Sequence, residues 1–406
     1  MNNDGLLMLL WLLSGLGAGN PKAHALVKSF GSLSAVYSAS SKELEKHQRL
    51  TEEELTRLER GRNLTEAKQV IEFCLQNGVK ILTAFDKVYP KKLLNITPCP
   101  LALFYRGTLF DFDDELCITI VGTRSMTQTG ARAAREMARA LSGSGAVIVS
   151  GLARGIDSMA HIGALEAGGR TAAVIGNGID VVYPPENRRL YADIAERGLI
   201  MTEYLPGTPP YPHHFRVRNR LLSALSNGVL VAESGSRGGS LITVRWALEH
   251  GKDIFAMPGD IGRPQSEGTN ALIKQGAKLV TRPSDILEEY IYTHGHKIKP
   301  GAVKNAPPPK RRATVRRRDF AAEAASEPVP YRTKASEPDS CCETGIALSE
   351  NEQKLLLACG PEPLDAGALA ARSGVALAEA LLALTKLELA GLVVQLPGGG
   401  YKSAPL

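Results

Sequence analysis

The sequence predicts an α/β protein built on a doubly wound parallel sheet, and three observations support that prediction. Hydrophobic residues make up 44% of the chain and charged residues 22%, which are ordinary values for globular domains. Short apolar runs rich in Val and Ile recur along the middle of the chain, and helical stretches of roughly 10 to 15 residues separate them. Such near-continuous apolar strands indicate parallel pairing, with helices on both faces of the sheet.

An extended Rossmann-like sheet of seven strands is therefore expected within residues 66–292. The length of 406 residues leaves room for two or three domains at roughly 150 residues each. The predicted strands are Ile118–Val121, Ala146–Val149, Thr171–Ile175, Leu199–Thr202, Gly228–Val231, Asp253–Ala256 and Lys278–Thr281.

Residues 1–65 are predicted to form a small all-α domain. Gly17, Ala18 and Gly19, followed by Ala23, have the spacing of a helix-hairpin-helix, whose tight glycine turn lets backbone N–H groups meet a phosphate. A helical-bundle turn without a ligand fits the same residues equally well. Both interpretations stay open.

Residues 293–345 are predicted to be a flexible basic linker. They contain the prolines Pro307–Pro309, and 11 Lys or Arg against 6 Asp or Glu. Few large apolar side chains are present, so the segment cannot bury enough surface to fold. Its six-cation run between Lys310 and Arg318 is either an electrostatic tether for phosphates or a solvated spacer. The linker supplies most of the net charge of +6, so the rest of the chain is close to neutral.

Residues 346–406 are predicted to form a C-terminal winged helix. Ser349 and Glu352 have the spacing of a capping box that opens its first helix. The predicted second helix, third helix and wing are Leu364–Ser373, Ala376–Ala390 and the segment around Pro397–Gly400. The third helix carries Lys386 but is otherwise mostly Ala and Leu, whereas a major-groove reader would present Arg, Asn or Gln. This composition favours a protein-contact module over a DNA reader.

The loops after the predicted strands combine glycine with arginine. In a doubly wound sheet, ligands bind outside the carboxyl ends of the strands, so a site is expected at these loops. Glycine permits close approach of the backbone, a helix N-terminus offers free N–H groups, and Arg presents a fork that matches phosphate oxygens. Five such loops at one edge would suit a ligand with repeated phosphates. The alternative is that the glycines only make turns and the arginines are solvated or paired with acids such as Glu203 and Glu233.

Several other classes of site are disfavoured. No G-x-G-x-x-G follows the first predicted strand and no G-x-x-x-x-G-K-[ST] occurs anywhere, which argues against a dinucleotide enzyme or an ATP-driven motor. Asp157 and His161 share a helical face at i, i+4 but lack a third ligand. Two further pairs, His213–His214 and the vicinal Cys341–Cys342, are equally weak as candidate metal-ligand sets. Neither a metal nor a cofactor is expected.

Composition also bears on the compartment. The longest apolar run, Leu6–Leu13, is far shorter than the roughly 20 residues that cross a bilayer, and Asp4 lies where a secretory signal would carry Lys or Arg. The six cysteines lack paired CxxC spacing and are expected to be reduced thiols. We therefore expect a cytoplasmic protein that makes no membrane contact.

Three aromatic residues, Tyr183, Tyr211 and Phe215, flank the third and fourth loops. Affinity for single-stranded nucleic acid comes from cations that meet phosphates and from aromatic faces on which bases stack. These rings are candidates for the second role, although aromatics beside prolines are often packing residues. Without a base-edge reader, binding is expected to be indifferent to sequence.

These residues make the chain similar to the DNA-processing protein A family (DprA, also called Smf), bacterial proteins of natural transformation. The order and number of the shared motifs are specific, and the likeness covers essentially the whole chain except the linker. The matching stretches are Val121–Arg124, Ser150–Asp157 with Ala160–His161, Tyr183–Pro184 with Asn187, Arg218–Arg220, Ser240–Thr243, Met257–Gly259, and Gly268–Asn270 with Lys274 and Gly276–Ala277.

The resemblance implies a homodimer that binds incoming single-stranded DNA in a positive pocket of the Rossmann domain. It would protect the strand, help it past single-strand-binding protein and load the recombinase RecA, without enzymatic activity. The pocket of the family uses the arginine of a G-[ST]-R loop, which is Arg124 here. Some members also use a lysine after the Tyr-Pro pair; this chain has Pro185 there, and Arg188 or Arg189 is expected to substitute.

The main hypothesis is therefore a single-stranded DNA-binding recombination mediator. Arg124 and the loop from Gly235 to Ser240 would hold phosphates, and Arg154, Arg218 and Arg220 would extend or brace the site. The expected DNA-binding residues are Gly122, Thr123, Arg124, Ser125, Arg154, Gly155, Asn187, Arg188, Arg218, Asn219, Arg220, Ser234, Gly235, Arg237, Gly238, Gly239, Ser240 and Lys274.

Two other classes of function stay open. One is a Rossmann-fold enzyme or sensor for a nucleotide-derived ligand, similar to phosphoribohydrolases that carry P-G-G-x-G-T-x-x-E. The nearest match here, Arg237–Thr243, lacks both the proline and the catalytic glutamate. The other is a protein adaptor that works through residues 346–406.

Overall fold

The computed structural model of the chain describes residues 1–47, 49–299, 349–360, 364–389, 392–395 and 400–403. They belong to two compact units, Met1–Thr314 and Val315–Leu406. Most of the predicted linker lies outside the described residues, with its six-cation run and Cys341–Cys342. The tip of the predicted wing, residues 396–399, also lies outside them. The predicted domain boundaries in this stretch stay predictions.

The N-terminal part of the first unit is all-helical, as the sequence predicts. Its helices are α1 (Asn3–Leu16), α2 (Pro21–Phe30), α3 (Leu33–Ser38), α4 (Ser41–His47), α5 (Glu52–Gly61) and α6 (Thr65–Gln76). The side chain of Asn2 accepts from the Gly5 amide and so begins α1, and Gly17 ends it at φ +85°. Leu9 and Leu12 of α1 are completely buried, because the other helices pack around α1.

A nine-stranded sheet forms the centre of the first unit. Its strands are β1 (Lys80–Thr83), β2 (Ala102–Gly107), β3 (Cys117–Gly122), β4 (Val147–Ser150), β5 (Thr171–Val174), β6 (Leu199–Thr202), β7 (Gly228–Glu233), β8 (Asp253–Ala256) and β9 (Lys278–Leu279). The seven predicted strands are present as β3–β9, and every pair among them is parallel. The antiparallel strands β1 and β2 extend the edge beyond β6 and were not predicted.

Helices cover both faces of the sheet. They are α7 (Lys91–Leu94), α8 (Gln128–Gly143), α9 (Ile156–Glu166), α10 (Arg188–Arg197), α11 (Pro212–Leu225), α12 (Ser240–Glu249), α13 (Pro264–Lys274), α14 (Ser284–Leu287) and α15 (Ile291–His294). Ile118 and Ile120 of β3 face α8 and α9, whereas Cys117 and Val121 face α11 and α12. This alternation at period two shows why a fully apolar strand needs a helical layer on each side. No helix among the described residues is both long enough and apolar enough to span a membrane.

The sheet reverses its direction of winding at β3. The strand order is β1-β2-β6-β5-β4-β3-β7-β8-β9, so the chain moves outward from β3 to β6 and then returns to place β7 on the other side of β3. The loops after β3 and β7 consequently leave the sheet edge in opposite directions. Such a switch point opens a crevice at the carboxyl ends of the strands.

The second unit is a small helical domain with a three-stranded antiparallel sheet. Its elements are α16 (Glu350–Ala358), α17 (Ala366–Ser373), α18 (Leu377–Leu389), β10 (Leu364–Asp365), β11 (Val393–Gln395) and β12 (Gly400–Ser403). The predicted capping box is confirmed, since Ser349 and Glu352 each accept a hydrogen bond from the other's backbone amide. The second helix begins two residues later than predicted, because Leu364 and Asp365 pair with β12. Helices and wing strands together confirm the predicted winged helix.

Candidate nucleic-acid interface

An open cavity of about 600 Å³ lies at the switch point. Its walls are the loop after β3, the loop after β7 and one side of α11. A narrower hollow of about 150 Å³, formed by the loops after β4 and β5, adjoins it. Both are lined by Arg124, Ala153, Tyr183 and Phe215, so they form one continuous depression, which we call the groove.

The groove brings together eleven of the residues expected to bind DNA. They are Gly122, Thr123, Arg124, Ser125, Arg154, Arg218, Asn219, Arg237, Gly238, Gly239 and Ser240. Residues from four separate stretches of the sequence therefore share one rim. The other expected residues do not line it: Gly155, Asn187, Arg188, Arg220, Ser234, Gly235 and Lys274.

Arg124 is exposed at the centre of the groove. Its loop follows β3 directly, and Gly122 allows the loop to pass close to β7, since a Cβ there would lie 2.7 Å from the carbonyl oxygen of Glu233. Among the described residues, no carboxylate lies within ion-pairing distance of Arg124, Arg216 or Arg237. These three exposed cations are thus available to an anionic ligand.

Arg218 lies beneath the groove surface and is only 2% exposed. Its guanidinium donates to the carbonyl oxygens of Gly151, at 2.8 Å, and Val174, at the ends of β4 and β5. Burial lowers the pKa of Arg218 to about 10, so the side chain remains charged at neutral pH. Arg218 therefore braces the floor of the groove and adds positive potential without presenting its head to solvent.

Asp157 lines the groove close to this brace. Its Oδ2 accepts from the Gly151 amide at 3.1 Å. Burial raises the pKa of Asp157 to about 6, and the nearby positive charge of Arg218 partly opposes that rise. The carboxylate is thus ionised at neutral pH and becomes neutral under mildly acidic conditions.

Arg220 points into the interior. Arg220 and Glu203 are 1% and 2% exposed, and two hydrogen bonds of 2.7 Å join their side chains. Nε of Arg220 also donates to the Pro98 carbonyl at 3.2 Å. Arg220 was expected either to extend the site or to brace it. Only bracing fits this placement, because the guanidinium cannot reach the groove. Glu203 pairs with this arginine, as the alternative interpretation anticipated, whereas the carboxylate of Glu233 accepts from the Thr127 amide.

The loop after β7 presents the N-terminus of α12 to the groove. Gly238 must be small, because a Cβ there would lie 2.3 Å from the Ser234 hydroxyl, which in turn bonds Ser240 at 2.8 Å. Gly239 has open space around it. The positive end of the α12 dipole therefore faces the groove next to Arg237, an arrangement that favours anions.

Several predicted residues shape neighbouring loops instead of lining the groove. Asn187 donates to the Leu152 carbonyl at 2.9 Å and to Ser158, and so ties the loop after β4 to the turn before α10. Gly155, at φ +87°, lets the loops after β3 and β4 touch, since a Cβ there would lie 2.3 Å from the Thr123 carbonyl oxygen. Arg188, an expected substitute for the missing lysine, is exposed outside the groove.

Two aromatic rings line the groove beside the loop after β5. Tyr183 and Phe215 lie with ring centroids 5.5 Å apart, and Tyr183 is 38% exposed. The guanidinium of Arg124 lies 5.6 Å from the centroid of the Phe215 ring, and that of Arg218 lies 5.9 Å from it. The groove thus combines cations with π-faces, the two features that single-stranded nucleic acids require.

Arg216 lines the groove but was not among the residues expected to bind DNA. It lies within the arginine-rich run that begins α11, and helical phase could have found it. Pro212, Phe215, Arg216 and Asn219 follow i, i+3, i+4, i+7 spacing and all line the groove. Arg218 and Arg220 lie on the buried face of the same helix.

The described residues contain no cluster of three His, Cys, Asp or Glu side chains able to hold a metal ion. His161 is completely buried, and its Nδ1 bonds the Thr171 hydroxyl at 2.7 Å. Burial lowers the pKa of His161 to about 3, so the ring is neutral. It packs inside the domain as an uncharged residue.

A doubly wound sheet whose switch point carries unpaired arginines, a helix N-terminus and aromatic faces defines a Rossmann-type polyanion-binding protein. Comparison with known protein families identifies the particular family to which the chain belongs. Residues 80–291 match the family described as DNA recombination-mediator protein A, and residues 343–399 match its winged helix domain. The chain belongs to this DprA/Smf family, which confirms the resemblance.

Individual relatives show the same likeness. The chain is 45% identical over 205 residues to DNA processing protein DprA of Streptococcus pneumoniae, an alignment that covers 50% of this chain and 72% of the relative. It is 37% identical over 320 residues to protein Smf of Escherichia coli, covering 79% and 76%. The X-ray structure of the S. pneumoniae protein superposes with a TM-score of 0.61 at 36% identity, covering 69% of this chain and 96% of the other. DNA processing is thus the role of the family to which the chain belongs.

Proposed function

We propose that this protein binds single-stranded DNA without sequence preference, protects it and loads the RecA recombinase onto it during natural transformation. The single observation that carries the proposal is the position of Arg124. Its exposed guanidinium has no carboxylate partner among the described residues and lies over the Phe215 ring in the middle of the groove. The family's description as a recombination mediator supports the second half of the proposal.

The chemistry of the groove favours a ligand with repeated phosphates. Arg124, Arg216 and Arg237 supply three exposed charges, and the N-terminus of α12 adds a fourth anion-binding feature. The single phosphate of a mononucleotide needs only one cationic contact point, whereas cations spread across a cavity of about 600 Å³ suit a chain of phosphates.

The shape of the groove favours a single strand. The hollow of about 150 Å³ is lined by Tyr183 and Phe215, and these rings suit an unpaired base. In a duplex the bases are stacked and paired, and their faces are inaccessible to side chains. Cations, amide dipoles and ring faces engage features common to all nucleotides, so binding without sequence preference follows.

Protein partners are part of the proposal. RecA, single-strand-binding protein and a second copy of the chain are the partners we expect. Large apolar side chains at the surface support protein contacts: Ile261 and Tyr292 are 99% and 98% exposed, and Leu357 in the winged helix is 87% exposed. Lys386 on the third helix of that domain is engaged by Glu352 at 3.3 Å, which supports a protein-contact role for the domain. We propose no enzymatic activity.

Salt-dependent binding of the full chain to oligothymidine tests the DNA-binding half. Removal of one cation that meets a phosphate reduces the slope of log K against log salt by about 0.7 for single strands. Arg124→Ala is expected to weaken binding and to reduce the slope by about that amount. Arg197→Ala, which removes an exposed cation next to the amino end of β6, away from the groove, is the matched control and should behave as the parent. A parent slope near zero, or Arg124→Ala binding as tightly as the parent, would refute the proposal.

Strand exchange by RecA on DNA coated with single-strand-binding protein tests the mediator half. The parent protein should shorten the lag before exchange, and Arg124→Ala should not. Mixed-base and oligothymidine substrates of equal length should bind alike if the groove does not read sequence. A protein that binds DNA but leaves the lag unchanged would contradict the mediator role alone.

A further inference from the structure

A second cavity, of about 360 Å³, lies between the N-terminal helices and the start of α11. The turn from α1 to α2 forms one wall with Gly17 and Ala18. The opposite wall consists of Tyr204, His213, His214 and Val217. These residues are distinct from those that line the groove, so this cavity is a separate feature of the first unit.

The wall between the cavity and the groove is a single stretch of chain, residues 208–214. Pro210 and Pro212 face the groove, whereas Thr208, His213 and His214 face the cavity. Tyr211 lies between the two prolines and is 51% exposed. Tyr211 lines neither the groove nor the cavity, but its exposed ring lies in the stretch that separates them, beside any strand that crosses Pro212 from one to the other.

Aromatic rings dominate this stretch. Tyr211 and His213 are nearly parallel, with an interplanar angle of 11° and centroids 5.9 Å apart. Tyr204 and His214 stack at 4.1 Å. Tyr204 is buried, whereas the ring of Tyr211 is half exposed and can take a further flat group. Each base stacked on an aromatic side chain strengthens single-strand binding.

The polar groups around the cavity select against phosphate. No Lys or Arg of the described chain lines it, and the C-terminal end of α1, which is the negative end of the helix dipole, forms its wall at Leu13–Gly17. Nδ1 of His214 is buried without a hydrogen-bond partner in the described residues. A group with an aromatic face and N–H donors satisfies these features, and a phosphate does not.

We propose that the cavity between the α1–α2 turn and α11 is a nucleobase subsite that takes a base of the same DNA strand after the strand crosses Pro212, with Tyr211 as its stacking platform. This inference rests on the proposed function. The sequence left two interpretations of the glycine turn open, a phosphate-binding hairpin and a helical-bundle turn without a ligand. The subsite gives the turn a third role: it packs against α11, with Gly19 close to Val217, and shapes a pocket for a base.

Length-dependent binding tests the subsite. Oligothymidines from about 4 to about 16 nucleotides cover the site sizes that single-strand-binding folds display. Tyr211→Ala should leave the affinity for the shortest strand unchanged and weaken the longer ones by about tenfold. Tyr211→Phe should restore binding, because the ring is retained. Tyr292→Ala, which removes an exposed ring outside the 208–214 stretch, should match the parent at every length.

Photo-crosslinking of the unmodified protein gives a second readout that does not depend on a variant. An oligothymidine carrying 4-thiothymidine at one position at a time should cross-link to the 204–217 segment or the 13–18 turn from one end of the strand only. The subsite is refuted if Tyr211→Ala binds all lengths like the parent, or if cross-links map to the groove alone. In either case, weaker DNA binding by Arg124→Ala would still uphold the proposed function. If binding by the parent protein depended on neither strand length nor salt concentration, the subsite and the proposed function would both be overturned.

Discussion

The guanidinium of Arg124 lies 5.6 Å from the centroid of the Phe215 ring. The two residues come from different elements, the loop after β3 and helix α11. Arg218 lies 5.9 Å from the same ring, so Phe215 links an exposed cation to a buried one. Phe215 therefore orients Arg124 as well as offering an aromatic surface to a base.

Phe215→Leu should weaken single-stranded DNA binding by about tenfold, since stacking and cation–π contacts with a ring are worth about 1–3 kcal/mol. Phe215→Tyr keeps the ring and should stay close to the parent. Fluorescence anisotropy with labelled oligothymidine measures both. Equal affinities for the Leu and Tyr variants would show that the ring face plays no part.

Arg218→Met should lower both stability and DNA affinity. The substitution leaves the carbonyl oxygens of Gly151 and Val174 without their charged donor, and each such hydrogen bond contributes about 1.5–3 kcal/mol. Arg124→Ala, at an exposed position, should leave the melting temperature nearly unchanged while affinity falls. Thermal unfolding followed by circular dichroism separates the two. An unaltered melting temperature for Arg218→Met would contradict the bracing role.

Arg220→Met should destabilise the first unit by about 3–5 kcal/mol, because Glu203 would be left buried and unpaired. The double variant Arg220→Met with Glu203→Leu removes both charges and should recover most of that stability. Urea unfolding gives the free energies. The folded double variant should bind oligothymidine as the parent does, and a large drop in its affinity would mean that Arg220 contributes directly to binding.

Binding should tighten as pH falls through about 6, because protonation of Asp157 removes a negative charge from the groove. The sign follows from the raised pKa: the carboxylate is ionised above it and neutral below it. Asp157→Asn should bind more tightly than the parent at pH 7 and lose this part of the pH dependence. Dissociation constants measured between pH 5 and pH 7.5 test the prediction, and identical profiles for parent and variant would exclude Asp157 as the titrating group.

Patterns local to one element predicted the fold well. The seven parallel strands were recognised because they are short apolar runs, and β4–β7 are buried along their whole length. The capping box at Ser349 was recognised because its two residues are three positions apart. Strands β1 and β2 were missed. Lys80 and Arg106 interrupt their apolar pattern, and their pairing with the sheet edge depends on contacts distant in the sequence.

The sequence by itself determined the family, the doubly wound sheet and the loops at which a site would form. Hydrophobic periodicity and glycine–arginine motifs can each be recognised within a short stretch of sequence. Helical phase separates Arg216 from Arg218, but only the tertiary structure decided which side of α11 faces the groove. Arg216 and Arg218 are two positions apart on α11, and Arg218 and Arg220 belong to one motif. Helical phase turns Arg216 to the groove, places Arg218 beneath it and buries Arg220 against Glu203. The physical reason is that burial and pairing depend on neighbours supplied by other strands and loops, which no local pattern records.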